Sequence, residues 1–153
     1  MKKRFIILLA MFMAFAMAAC GSSDTKDASD DGQNPVMNFI GDYCWERADV
    51  HVEAGEGNLA MITVTWGGSA FESAQWTMSG DLDTDALTVK YSDCVKTNVV
   101  YDDDGNVTSE KVEYENGTGT ITFSDGENLT LTWDDDQDQA VNGEVFEYTA
   151  IER

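Results

Sequence analysis

Cations are scarce in this chain, and so are histidine and cysteine. Nine Lys and Arg stand against 29 Asp and Glu, a formal charge of −20 over 153 residues. Binding to nucleic acid without sequence preference needs a surplus of Lys and Arg to neutralise phosphates, so the charge argues against that class of partner. One His and no CxxC pair leave a zinc site short of ligands unless carboxylates make up the set. G-x-S-x-G, HExxH, GxGxxG and P-loop patterns are all missing. No residue pattern therefore calls for an enzyme or a cofactor, and neither is expected. Apolar residues make up 42% of the chain and aromatics 10%, enough for a core rather than a disordered chain. The length allows one domain.

The amino terminus carries an address. Lys2-Lys3-Arg4 precedes fifteen apolar residues, Phe5 to Ala19. A bilayer span takes about 20 such residues, so the stretch is short for a membrane helix and has the shape of a secretory signal. Met17-Ala18-Ala19-Cys20-Gly21 resembles the bacterial lipobox, with Met17 where Leu is more usual. That resemblance implies cleavage after Ala19 and acylation of the Cys20 thiol. It implies residence on the extracytoplasmic face of the cell membrane, held by lipid. Removing residues 1–19 takes three cations and no acid, so the mature charge becomes −23. Residues 20–37 then read as a lipidated tether, polar from Ser22 to Asn34 apart from Ala28 and closed by Pro35. The folded domain is expected over residues 38–153.

Cys44 and Cys94 remain, an even number in an exported domain. Export permits a disulfide between them. A loop of about 50 residues would make it worth roughly 3–4 kcal/mol. Two free buried thiols are the alternative.

The rest of the chain alternates with period two. Ile62, Val64 and Trp66 share one face; so do Ala74, Trp76 and Met78, then Val89 and Tyr91, Ile121 and Phe123, and Leu131 and Trp133. Turn signals fall between the runs. Asn116-Gly117 is the cleanest hairpin, because both residue types tolerate positive φ. Eight strands are expected, over 42–53, 59–66, 70–79, 86–101, 107–116, 118–124, 128–134 and 143–151. Short connections make them antiparallel neighbours. The expected fold is all-β, an eight-stranded up-and-down barrel, with a β-sandwich as the alternative. Gly41-Asp42-Tyr43 resembles the Gly-x-Trp opening of lipocalins, which implies a lipocalin-like or avidin-like barrel.

Asp49, His51 and Glu53 fall on one face of a strand, as a metal or acid–base group or as a solvated polar face; the latter is the reading taken. Asp102-Asp103-Asp104-Gly105-Asn106 resembles part of a calcium loop. Setting Gly105 on the invariant glycine puts Val100 first and Lys111 twelfth, and neither is a suitable ligand. That segment and Asp134-Asp135-Asp136-Gln137-Asp138 are read as acidic turns that hold divalent cations loosely. No specific metal site is expected. Glu72 shares parity with Trp76 and Met78. A carboxylate among apolar groups needs a partner, here Arg47 or Lys90, or a wet position at the barrel mouth. Trp45, Trp66, Trp76 and Trp133 lie on different strands, where they fill the barrel or line a cavity. Arg47, Trp66, Glu72, Trp76 and Met78 are therefore the candidate ligand-binding residues.

These residues lead to a binding module for a small ligand or a partner. The alternative is an acidic inhibitor or shield that attracts cationic host proteins such as lysozyme. Ser69-Ala70 and Trp76-Thr77-x-x-Gly80-Asp81 resemble a loop and strand of membrane-bound C-type lysozyme inhibitors, although no Lys follows Ser69 until Lys90. Less favoured is a small-barrel enzyme with Glu72 and Arg47 as its acid–base pair. The pattern Trp66-x-x-Ser69-Ala70-x-Glu72-x-x-x-Trp76-x-Met78, with Tyr91-x-x-Cys94 and Gly105-Asn106, is similar to small uncharacterised lipoproteins of gut Firmicutes, a resemblance that implies no activity. Replacing Cys20 by Ser should leave the chain unacylated. Detergent-phase partitioning should then move it from the detergent to the aqueous fraction.

Overall fold

The structure is a computed structural model, described here for residues 34–139 and 142–149. The signal-like segment, Cys20 and most of the expected tether lie outside the described residues. Eight antiparallel strands follow one another around a closed ring: β1 (Gly41–Trp45), β2 (Ala48–Ala54), β3 (Leu59–Gly67), β4 (Glu72–Asp83), β5 (Thr88–Tyr101), β6 (Val107–Ser124), β7 (Thr130–Asp135) and β8 (Glu144–Thr149). Each strand pairs with the next, and β1 closes on β8 with Tyr43 opposite Tyr148. An antiparallel chain of hairpins needs no crossover, and closure removes the sheet edges that would otherwise invite aggregation.

The count of eight agrees with the sequence pattern, but two boundaries fall elsewhere. Residues 42–53 form two strands, not one. The chain reverses at Glu46-Arg47, where Glu46 takes φ 50°. No Gly, Pro or Asn marks this turn, which is why the run reads as continuous. Conversely, residues 107–116 and 118–124 form the single strand β6. Asn116 does adopt positive φ, at 58°. Its role is to bend the strand, because the pairing with β5 slips between Cys94↔Gly117 and Lys96↔Tyr114. An extra residue on one strand of a pair produces such a bulge and turns the strand without ending it.

The start of the fold is also earlier than expected. Residues 35–38 were assigned in part to the tether, yet they form a short 3-10 helix, Pro35–Asn38, capped by the Asn34 side chain on the Val36 N–H. Val36 and Phe39 are buried, and the Phe39 ring stacks on Phe123 at 4.7 Å. The Asn34 amide donates to Gly55 O at the β2–β3 turn. This helix therefore plugs one end of the barrel, the end that also carries the β2–β3, β4–β5 and β6–β7 turns.

Inside, the alternating faces meet. Tyr43, Val50, Val64, Val89, Ile121, Leu131, Trp133 and Phe146 have essentially no exposed surface. The same set includes one charge. Asp135 is fully buried, whereas the sequence placed it in an exposed acidic loop. It continues the inward parity of Leu131 and Trp133. Its Oδ2 accepts from the Tyr91 hydroxyl at 2.8 Å and its Oδ1 from the Tyr114 hydroxyl at 3.3 Å. Two backbone N–H groups, of Gln137 and Asp138, also donate to Oδ1. Each tyrosine oxygen in turn accepts an indole N–H, Trp133 on Tyr91 and Trp76 on Tyr114. The two indoles meet edge to face at 5.3 Å. A buried carboxylate is tolerated when its lone pairs are met in this way.

Room for the tyrosines comes from two glycines on β6. A Cβ at Gly119 would overlap the Tyr91 hydroxyl and the Asp134 carbonyl, and one at Gly117 would lie 2.7 Å from Tyr114 Cε2. Gly119→Ala should therefore destabilise the barrel by about 1–3 kcal/mol through overpacking. Asp135→Ala should cost about 3 kcal/mol, because it strands one buried and one half-buried hydroxyl. Urea unfolding followed by tryptophan fluorescence checks both, read as a lower midpoint at unchanged slope.

Candidate functional site

The five candidate ligand residues separate into two layers. Trp76 and Met78 are core residues, 3% and 4% exposed. Trp76 is further covered by the Lys96 ammonium, 4.8 Å from its ring centroid. Lys96 is held there by Asp138 at 2.8 Å and Glu113 at 2.9 Å. Burial alone would lower the Lys96 pKa, but these two carboxylates outweigh it and leave the ammonium raised above its ordinary value. Glu113 is lowered in return, chiefly by its bond to Lys96. Lys96 thus closes the core from above, and Trp76 and Met78 line no ligand cavity.

The other three gather at the open end, opposite the plug. Trp66 is half-buried and meets Trp45 edge to face at 5.5 Å. With Glu72, Ala74, Asn98 and Val100 it lines a pocket of about 290 Å³. Arg47 is exposed and donates to Gly68 O at 3.3 Å, on the pocket's rim. Glu72 is exposed at the start of β4. Among the described residues it forms no ion pair with Arg47 or Lys90, and of the two expected outcomes it takes the wet position at the mouth, where a carboxylate needs no buried counter-charge. An aromatic floor with a few polar groups at its rim is the usual make-up of a small binding site.

Cys44 and Cys94 do not form the expected disulfide; both are free. Cys44 faces outward, paired across the sheet with the exposed Asp49 and Glu147. Cys94 is fully buried on the inner side. The sheet lies between them, so no rotamer joins the sulfurs. Burial first, then the nearby Asp135 and Asp93, push the Cys94 thiol up to about 12. It is an inert core thiol.

Of the Asp49, His51, Glu53 trio, only the last two belong together. Asp49 stands beside Cys44 and Thr65. The partner of His51 is Asp42, directly opposite on β1, with Nδ1 to Oδ1 at 2.6 Å. Glu53 lies 3.6 Å from Nε2. Nothing in the spacing of the chain names Asp42, because register across the β1–β2 hairpin decides it. The acidic turn at Asp102 is tied to itself: its Oδ1 accepts from the Asp104 and Asn106 N–H groups. These bonds, the one from the Asn106 backbone first, hold its carboxyl below the ordinary range. Among the described residues, no three His, Cys, Asp or Glu are grouped to hold a metal ion.

Comparison with family models, with curated proteins and with solved structures finds no match for this chain.

The hydrogen bond that the imidazole donates to Asp42 is the main cause raising the His51 pKa above 6.5, against the opposing effect of burial. The pair therefore contributes its full stabilisation below pH 6.5 and loses it as pH rises through the folded value. His51 is the only His in the chain, so its imidazole signal is unambiguous in an NMR titration. Asp42→Asn should return its midpoint toward 6.5.

Proposed function

We propose that this protein is a lipid-anchored extracytoplasmic binding module whose site is the open mouth of the barrel. One observation carries the reading: the barrel interior is filled from the Pro35–Asn38 plug to Lys96, while an aromatic pair, Trp45 and Trp66, stays half-exposed at the unplugged end. A ligand on the barrel axis has no room. A small ligand or the tip of a partner has the pocket of about 290 Å³ between Trp66 and the β4–β5 wall. The lipobox-like segment supports the anchoring. An even number of antiparallel strands brings both ends of the barrel's chain to the plugged end, so an upstream anchor joins the barrel there and not at the mouth.

The charge supports a second reading, an acidic shield for cationic host proteins. The arithmetic behind it is −23 for the mature chain, and many of the acids stand on exposed turns. Attraction of this kind speeds encounter and fades with salt.

Both readings have a direct test. Ligand screening by NMR should move the Trp45 and Trp66 indole signals and leave those of Trp76 and Trp133 in place. Trp66→Ala should abolish binding while costing about 1–2 kcal/mol of stability or less. Shifts confined to Trp76 and Trp133 would refute the mouth as the site. For the shield, lysozyme should form a complex at low salt that dissociates at high salt; no complex at low salt ends that reading.

A further inference from the structure

Eight large apolar side chains are exposed among the described residues, and three of them converge. Met37, Ile40 and Tyr148, 48%, 37% and 40% exposed, line a groove of about 600 Å³ at the rim of the plugged end. This is the larger hollow by a factor of two over the mouth pocket. Its polar wall is made by Asp42, His51 and Glu53. Isolated surface apolar groups are ordinary, but several facing one hollow mark a binding surface.

The chemistry of the walls selects the ligand. Two carboxylates share one imidazole, so with His51 neutral the described lining of the groove carries two negative charges and no cation. Neither carboxylate is sealed: Asp42 and Glu53 side chains are 36% and 62% exposed. The Tyr148 ring offers an aromatic surface in the same groove, and aromatic faces attract cations. We propose that this groove binds an amphipathic amine, its ammonium group against the exposed faces of the Asp42 and Glu53 carboxylates that flank the imidazole and its apolar body against Met37, Ile40 and Tyr148. The groove lies at the end of the barrel opposite the mouth, so this inference stands apart from the mouth reading.

The same geometry supplies a competitor. Asp42 from β1 and Glu53 from β2 flank His51, Tyr148 from β8 lines the same groove, and the residue across from His51 on β3 is the uncharged Thr63. Protonation of His51 places a cation between the two carboxylates that the amine needs. Binding therefore strengthens as pH rises and His51 loses its proton.

The test uses the full chain in phosphatidylcholine nanodiscs, with empty nanodiscs as the blank. The probe is 2-phenylethylammonium, and 2-phenylethanol is its neutral counterpart. Saturation-transfer NMR at pH 8 should show saturable binding of the amine, with the alcohol at least about fivefold weaker. Glu53→Gln should weaken the amine by about fivefold, while Asp103→Asn, on the β5–β6 turn at the far end, should leave it unchanged. Lowering the pH to 5 should weaken binding, and His51→Gln should remove that dependence while retaining the affinity seen at pH 8. Equal binding of alcohol and amine, equal losses in E53Q and D103N, or no saturable binding overturns the site. Full pH dependence surviving in H51Q overturns the competition.

Discussion

The buried carboxylate of Asp135 is the constraint around which the barrel is arranged. A charge with no exposed surface survives only if every lone pair is met, since the cost of leaving it unmet is several kcal/mol. The donors come from three directions: Tyr91 on β5, Tyr114 on β6, and the backbone just past β7. Each tyrosine is then oriented by an indole, from β7 and from β4. One anion thereby fixes the side-chain geometry of four consecutive strands. Burial and the neighbouring carboxylate keep both phenols protonated well above their ordinary range, so they remain donors. The glycines at 117 and 119 follow from the same demand, because the tyrosine rings occupy the space of their missing side chains.

This network also decides where hollows remain on the barrel. A barrel whose axis is filled by Trp133, Tyr43, Phe146 and the Trp76–Tyr114 pair has no internal ligand chamber of the lipocalin kind. Lys96 completes the filling by neutralising Glu113 and Asp138 while lying over Trp76. What is left is the periphery. At one end, half-exposed Trp66, backed by Trp45, floors a small pocket. At the other, the exposed Met37, Ile40 and Tyr148 share a groove with a His and two carboxylates. The two hollows differ in chemistry, with aromatic floor and mixed polar rim in one, excess negative charge in the other.

The inward faces of β3, β4, β5 and β7 were legible in the sequence, because burial of one sheet face imposes a period of two. The number of strands came out right through two opposite errors. Glu46 turns the chain without a turn residue, and Asn116 bends it with one. Positive φ was correctly read at Asn116, but backbone conformation alone does not distinguish a bulge from a hairpin. Asp135 was within reach: one more step of the Leu131, Trp133 alternation puts it inside. Its charge argued for a loop, and only the tyrosine donors, 44 and 21 residues away, reverse that argument. The cysteines failed differently. Their number and compartment suit a disulfide, but they lie on opposite faces of the wall.

Sequence alone therefore determined the class of fold, the strand character of the chain and the acidic surface, for these depend on local periodicity and on composition. It also carries the lipobox-like segment on which the proposed anchoring rests, a local pattern that needs no fold. Tertiary structure decided what faces what. Asp42 became the partner of His51, Asp135 the centre of the core, and Glu72 a wet group at the mouth. Each of those outcomes depends on register between strands and on closure of the ring. These long-range pairings bring together residues whose separation along the chain carries no trace of their contact.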